Sequence, residues 1–272
     1  MSDRENKRAA SIIIPVCNQL AYTKLSIRSI LETTTIPFEL VIVDNGSREA
    51  MRRYIDSLSG NVDVAYVRNE TNLGPIVAIN QGIAKSKYAY IAAIHNDVIV
   101  FERGWLDRMI SVMEADPTIG LAGFAGRKEI YKNGCVNEES LKHNLQNEDL
   151  NPPMREKVAE VAVLDGMFFL FNRELAGDVM RLDEAYGYMH CYDLDLSLRS
   201  ISAGYRNVVV GVEAMHIGNG GITRKTGEYQ RMVKDDYGLL KKNCKLFARK
   251  WKRVLPLEIE KYRNNVLTKG GK

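Results

Sequence analysis

A chain of 272 residues, 45% of them hydrophobic, can bury a substantial core and is too apolar for disorder to describe most of it. Its 38 basic and 34 acidic side chains leave a formal charge of only +4, which excludes a polycation that coats nucleic acid. Cys17, Cys135, Cys191 and Cys244 form no C-x-x-C pair, so neither a zinc knuckle nor a disulfide framework is indicated, and a reducing cytoplasm fits best.

The first ten residues, MSDRENKRAA, read as a charged tail without the apolar core of a signal peptide, and no later run approaches the ~20 apolar residues of a bilayer span. Residues 11–16 (SIIIPV) and 39–43 (ELVIV) are short, almost unbroken apolar runs, the pattern of strands covered on both faces. Between them Ile27, Ile30 and Leu31 follow i, i+3, i+4 spacing, which predicts a helix with Asn18 as its cap. A helix near 51–58, a strand at 62–67, a helix near 76–84 and a strand at 88–94 complete a βαβαβαβ half. Parallel sheets of this kind hold ligands beyond the carboxyl ends of their strands. Here those ends read Pro15-Val16-Cys17-Asn18, Asp44-Asn45-Gly46-Ser47 and His95-Asn96-Asp97.

Residues 127–158 are rich in Lys, Glu and Asn and carry Asn133-Gly134 and Pro152-Pro153, the composition of a long excursion outside the core that can serve as a substrate loop. Apolar order returns at 161–171, followed by a helix over 194–203 and a strand over 207–212. After His216 the chain turns glycine-rich (Gly218, Gly220, Gly221), then basic and amphipathic over 233–255. That last helix, with Lys241, Lys242, Lys245, Arg249, Lys250, Lys252, Arg253, Leu246, Phe247 and Trp251, suits either a face packed on the domain or peripheral contact with anionic lipid at an inner membrane face.

Three strand ends or helix starts carry acids. Asp44 is either a turn aspartate or a ligand-binding acceptor. Asp97 can hold Mg²⁺ or Mn²⁺, hard ions that prefer oxygen and share it with phosphates. In His190-Cys191-Tyr192-Asp193-Leu194-Asp195, the two acids cannot share one helix face; Asp195 can pair with Arg199 one turn on, leaving Asp193 to project as either a cap or a base. His216 is either a hydrogen-bonded core residue or a ligand.

Taken in order, SIIIPVCNQ, VIVDNGS, NETNLGPIVAINQGI, AAIHNDVIV, VLDGMFFLFNREL, HCYDLDLSLRSISAGY and AMHIGNGG resemble glycosyltransferase family 2 and its GT-A fold. The resemblance implies an α/β architecture, a Rossmann-like, mostly parallel sheet sandwiched by helices, with an acceptor-side excursion and a helical C-terminal appendage. Its domain would span 11–225, with a nucleotide-binding half (11–100), an acceptor and catalytic half (101–225) and a basic extension over 226–272. It implies that Asp44 holds the nucleobase and that Pro15, Asn18, Asn72, Gly74, Asn96 and Asp165 lie along the donor. It also assigns a divalent metal, Mn²⁺ or Mg²⁺, to Asp97 and His216, makes Asp193 the catalytic base and puts His190 and Tyr192 on the acceptor side. This sequence departs from the family where Asp-x-Asp is replaced by His95-Asn96-Asp97, leaving one carboxylate, and where Tyr192 rather than Glu precedes the base.

The implied reaction is a single displacement that inverts the anomeric carbon. The donor is a nucleoside-diphosphate sugar, UDP-sugar by default, and the acceptor a saccharide, lipid-linked or protein hydroxyl. Arg224 and Lys225, beyond the glycine-rich stretch, either close over the diphosphate or belong to a solvated loop. Two rivals stand beside this reading. A nucleotidyltransferase on a similar sheet would carry a glycine-rich basic loop where Pro15-Val16-Cys17-Asn18-Gln19 stands, and a non-catalytic sugar-nucleotide binder would tolerate the depleted metal motif.

Overall fold

A computed structural model of the chain describes residues 8–147, 152–175, 177, 179–217 and 226–269. Strand β1 (Ala10–Val16) leads to α1 (Leu20–Thr33), β2 (Phe38–Asn45), α2 (Glu49–Leu58), β3 (Asp63–Asn69), α3 (Gly74–Lys85) and β4 (Tyr90–Ile94). The second half runs β5 (Val98–Val100), α4 (Trp105–Ala115), β6 (Ile119–Gly123), β7 (Ala125–Arg127), β8 (Glu129–Ile130), β9 (Leu141–His143), β10 (Val158–Val161), β11 (Val163–Leu164) and β12 (Phe168–Asn172). It ends with α5 (Tyr192–Ser202), β13 (Arg206–Val210), β14 (Ala214–His216), α6 (Gly227–Met232), α7 (Asp236–Lys250), β15 (Leu257–Glu258) and α8 (Ile259–Lys269).

The central sheet has 8 strands in the order β10-β13-β6-β12-β4-β1-β2-β3. Its nucleotide half, β4-β1-β2-β3, is parallel throughout, as the alternating pattern of short apolar runs and helices requires. The other half is mixed: β12 lies antiparallel to both β4 and β6, and β10 lies antiparallel to β13. Successive side chains of β1 enter opposite layers, Ile12 and Ile14 packing with Ile27, Ile30, Trp105 and Phe168, and Ile13 with Val41, Ile79 and Phe171. Burial on both faces is why the run carries no polar alternation. Pro15, which has no N–H to give, falls past Ile13, the last residue of β1 that pairs with β4.

The structure corrects two expectations. Asn18 does not cap α1: the N-cap position is Gln19, without a side-chain bond, and Asn18 Oδ1 instead accepts from Arg48 N at 3.0 Å. Both residues have left-handed backbone, φ 55° and 52°, which turns the Asn18 side chain toward the β2–α2 loop. The 127–158 excursion is not wholly outside the core. Its β7 and β9 form a small sheet with β11, and Ile130, His143 and Leu145 are buried, because backbone pairing to neighbouring strands gives a polar-rich segment its own partners. Of the two alternatives for the basic C-terminal segment, the structure has the face packed on the domain: Phe247, Leu257 and Ile259 are buried in the second core layer and β15 pairs with β8 of the excursion.

Candidate active site

The cleft at the carboxyl end of β4 is built by two antiparallel pairings. β14 runs against β5 with His216 opposite Val98, which places His216 beside Asp97. His216 Nε2 and Asp97 Oδ1 lie 3.1 Å apart, and both groups are almost buried. Asn147 holds the backbone of His216 from both sides, accepting from its N–H at 3.1 Å and donating to its carbonyl at 2.9 Å. His95 completes a triangle, its ring centroid 5.5 Å from that of His216, and one ligand atom from each of His95, Asp97 and His216 lies within 4.8 Å of the others.

Electrostatics favours an ion pair within this triangle. Burial works against the charged Asp97, but the hydrogen bond and charge of His216, with His95 behind, hold its carboxyl below the ordinary value. Burial likewise works against a charged His216, and the Asp97 bond and charge outweigh it, raising the imidazole above its ordinary value. His95 moves the other way, lowered by burial and by the neighbouring His216. One carboxylate and two imidazoles form a donor set that fits a borderline divalent ion such as Mn²⁺ better than Mg²⁺, which prefers oxygen alone. His95 was not among the ligands expected from sequence. Asn96 faces away from the triangle, its amide donating to Thr23 Oγ1 of α1 at 2.9 Å.

The antiparallel strand β12 supplies the next residues. Because it pairs with β4 up to Ile94–Phe168, the turn that precedes it sits against His95, whose N–H donates to Met167 O at 2.9 Å. Asp165 opens that turn, accepting from Met167 N at 3.1 Å, and Gly166 N donates to Asp193 Oδ2 at 3.0 Å. Gly166 has no room for a side chain: a Cβ there would lie 2.6 Å from the Tyr192 hydroxyl. Asp193 stands in the first turn of α5, with Oδ1 accepting from Leu194 N at 3.0 Å. Burial, then the charge of Asp165, outweigh those bonds and push its carboxyl up to about 6, in the range that suits a general base near neutrality. Asp195 faces inward and pairs with Arg199 at 3.1 Å, as the helical spacing predicts.

His95 of the triangle and Asp193 border one cavity of about 490 Å³, whose lining also includes Arg127, Asp165, His190 and Tyr192. His190 bonds Asp236 Oδ1 at 2.8 Å, and buried Tyr192 forms part of the wall. Arg127 ion-pairs with Glu138 at 2.7 Å and reaches Asp165 at 3.5 Å, so a fixed cation stands beside the two acids.

The nucleotide-side residues lie at the ends of β1, β2 and β3. Asp44 is fully buried and both its oxygens are engaged: Oδ1 accepts from Ser47 N at 2.7 Å, and Oδ2 from Tyr66 Oη at 2.7 Å and Arg68 Nη1 at 2.5 Å. Arg68, itself partly exposed, therefore stands between Asp44 and solvent. Asn18 N donates to Ser47 Oγ at 2.8 Å, and Asn18 lines a second cavity with Arg48 and Arg231. Asn72 Oδ1 accepts from Gly74 N at 3.0 Å, and Gly74, at φ 85°, abuts the Tyr188 carbonyl so closely that a Cβ would come within 2.6 Å. Arg224 and Lys225, with Gly218, Gly220 and Gly221, lie outside the described residues.

The model of the family described as glycosyl transferase family 2 matches residues 11–179, more than half of the chain. The chain belongs to glycosyltransferase family 2.

Among curated relatives, an uncharacterized glycosyltransferase of Rickettsia bellii is 35% identical over 104 residues, 38% of this chain and 15% of that protein. A chondroitin synthase of Pasteurella multocida is 26% identical over 133 residues, covering 48% of this chain and 14% of the other. The uncharacterized protein y4gI of Sinorhizobium fredii is 26% identical over 219 residues, 75% of this chain and 24% of its own length. This chain thus matches only a fraction of the length of these relatives. The fold is shared with the mannosyltransferase PcManGT of Pyrobaculum calidifontis, solved with GDP-Man and Mn²⁺, at TM-score 0.58 and 15% identity over 90% of this chain and 70% of that one. It is also shared with GalNAc-T7 solved with UDP, GalNAc and Mn²⁺, at TM-score 0.62 and 16% identity over 83% of this chain and 48% of the other. The architecture is the GT-A fold of glycosyltransferases.

Within this family 2 frame, three cavity residues escape a sequence reading. His95 is the first position of His95-Asn96-Asp97, the turn between β4 and β5, and its place directly after the apolar run of β4, in the same short turn as Asp97, was the available signal. Arg127 and Glu138 gave no signal, because they sit in the excursion and approach Asp165 only through the β7–β11 pairing.

Proposed function

We propose that this chain transfers a sugar from a nucleoside-diphosphate donor, UDP-sugar by default, to an acceptor hydroxyl with inversion at the anomeric carbon. The observation that carries the reading is the common cavity: His95 of the Asp97–His216 triangle and Asp193 line one space, with Asp165 between them. Asp97, His216 and His95 would hold a divalent cation. When bound, that cation offsets the negative charge that develops on the departing diphosphate.

The chain's own groups divide the remaining work. Asp193, held by the Gly166 and Leu194 amides, takes the proton of the acceptor hydroxyl as its oxygen attacks. Burial, and then the charge of Asp165 that Arg127 holds in place, keep the Asp193 carboxyl basic. Asp44, once Arg68 swings aside or binds with it, accepts from the nucleobase or ribose. A single base serving a single displacement leaves an inverted product and needs no covalent sugar–enzyme intermediate. Purified protein incubated with a panel of UDP- and GDP-sugars, Mn²⁺ and simple glycoside acceptors tests this, with the anomeric configuration of the product read by NMR. Inverted product that requires Mn²⁺ supports it; donor binding with neither transfer nor hydrolysis makes the chain a binder instead.

A further inference from the structure

The same cavity is lined by three of the chain's cysteines, Cys135, Cys191 and Cys244, none of which the transfer chemistry uses. Cys191 and Cys244 are in contact, Sγ to Sγ 3.6 Å, although one stands at the start of α5 and the other in the middle of α7. Cys191 is the N-cap of α5, two residues before Asp193, and both it and His190 hold left-handed backbone, φ 62° and 74°, uncommon for residues other than glycine. Such backbone marks a segment held by its surroundings, and here the surroundings include Cys244 and Asn243, whose amide donates to the carbonyls of Tyr186 and Met189 at 2.7 and 2.6 Å.

We propose that Cys191 and Cys244 form a dithiol modification site, oxidised by low-molecular-weight disulfides to an intramolecular disulfide that resets the wall of the cavity beside Asp193. The hydrogen bond from Cys191 draws the Cys244 thiol down to about 7, so it carries the larger thiolate fraction near neutrality and is the attacking sulfur. Cys191, raised by the same bond and by burial, stays a thiol. The Cys244 thiolate attacks one sulfur of the incoming disulfide, R–S–S–R, expelling R–S⁻ and forming a mixed disulfide. The R–S⁻ released first takes the Cys191 proton, and the Cys191 thiolate so formed attacks Cys244 Sγ, breaking the mixed disulfide and expelling the second R–S⁻, which picks up the proton that Cys244 gave to solvent. Two protein thiols are oxidised to one disulfide and R–S–S–R is reduced to two R–SH.

Closing the pair brings the sulfurs from 3.6 Å to a bond of about 2.05 Å, which draws α7 onto the start of α5. A shift of roughly 1 Å beside a base costs on the order of a hundredfold in rate.

The full-length protein, equilibrated in glutathione disulfide and glutathione mixtures, is read by intact mass, counting of alkylated cysteines and peptide mapping. The expected result is loss of two hydrogen masses and a cross-linked peptide joining Cys191 to Cys244, still formed in Cys135→Ser and absent in Cys244→Ser. Glutathione adducts without an internal bridge, or a bridge to Cys135 instead, overturn the site. The mass readout is independent of the glycosyl-transfer reading. The effect on the cavity rests on that reading: oxidised protein is expected to lose transfer, recover it in dithiothreitol and keep its affinity for UDP. Equal transfer rates in the two forms overturn that effect while leaving the transfer reading intact.

Discussion

Asp97 and His216, 119 positions apart in the chain, meet at 3.1 Å because β14 returns antiparallel to β5. Since His216 is raised above its ordinary value by this partner, a proton competes with metal for its ring nitrogen. Affinity for Mn²⁺, measured by titration calorimetry, is therefore expected to rise between pH 6 and pH 8. For the metal-free protein the sign is the opposite: a histidine raised on folding adds stability that is full below its unfolded value and is lost as pH rises through its folded one. His95→Ala and Asp97→Ala each weaken Mn²⁺ binding while the fold persists, and Mn²⁺ affinity that ignores both substitutions removes the triangle as the metal site.

Asp44 is held by Ser47, Tyr66 and Arg68, with no exposed surface of its own. Nucleotide recognition there involves Arg68 as well as Asp44. Asp44→Ala is expected to weaken UDP binding by on the order of ten- to a hundredfold, the worth of a charge-assisted hydrogen bond of about 1.5–3 kcal/mol. Arg68→Ala moves the same affinity without collapsing the fold, because the arginine is half in solvent. UDP titrations in which both folded variants match wild type dispose of the role.

Asp195 has a structural task that its neighbour Asp193 does not share. Fully buried, it gathers Arg199 at 3.1 Å, Lys250 at 2.8 Å, the Trp251 indole at 2.8 Å and the Tyr186 hydroxyl at 3.1 Å. Asp195→Asn removes the charge that two cations share, a loss of roughly 2–4 kcal/mol in such sites. A melting temperature lower by about 5–10 °C is expected, with activity per folded molecule largely kept. An unchanged melting curve contradicts the assignment.

The same cluster explains why the C-terminal segment is part of the folded unit. Lys250 and Trp251 reach Asp195, Phe247 is fully buried, and Leu246 and Trp251 pack on the domain. Those apolar side chains are therefore engaged with protein, while Lys241, Lys242, Lys245, Arg249, Lys252 and Arg253 stay exposed. A chain ended at residue 225 is expected to lose cooperative unfolding, followed by circular dichroism on heating; a truncated protein that melts like the full chain contradicts this docking.

The parallel half of the sheet was legible because strands buried on both faces leave unbroken apolar runs, and the Asp195–Arg199 pair because helical spacing alone brings those positions together. Asp193 and Asp97 were legible as acids at element ends. What stayed hidden depends on long-range pairing. The insertion of β12 antiparallel between β4 and β6 puts Asp165 and Gly166 between His95 and Asp193, and no local pattern encodes which strand lies next to which. The Asn18 expectation failed for a related reason: a short polar side chain before a helix bonds whichever backbone amide lies nearest, and the β2–α2 loop offers Arg48 N.

The proposed transfer depends on Asp193 as base. Its carboxyl, raised to about 6 by burial and Asp165, is protonated below that pH and loses its basicity there, so kcat should fall as pH drops through about 6. The same shift costs stability, since a carboxyl raised on folding favours the folded state only at low pH and loses that contribution as pH rises through about 6.

The decisive measurement is turnover of Asp193→Asn against wild type between pH 5 and pH 8, with donor affinity measured in parallel. With Asp193 as the base, kcat falls about 10²–10⁴-fold near neutrality, the acid limb near pH 6 disappears and donor binding stays almost unchanged. Wild-type turnover in a folded Asp193→Asn protein, or a product that keeps the donor's anomeric configuration, contradicts it.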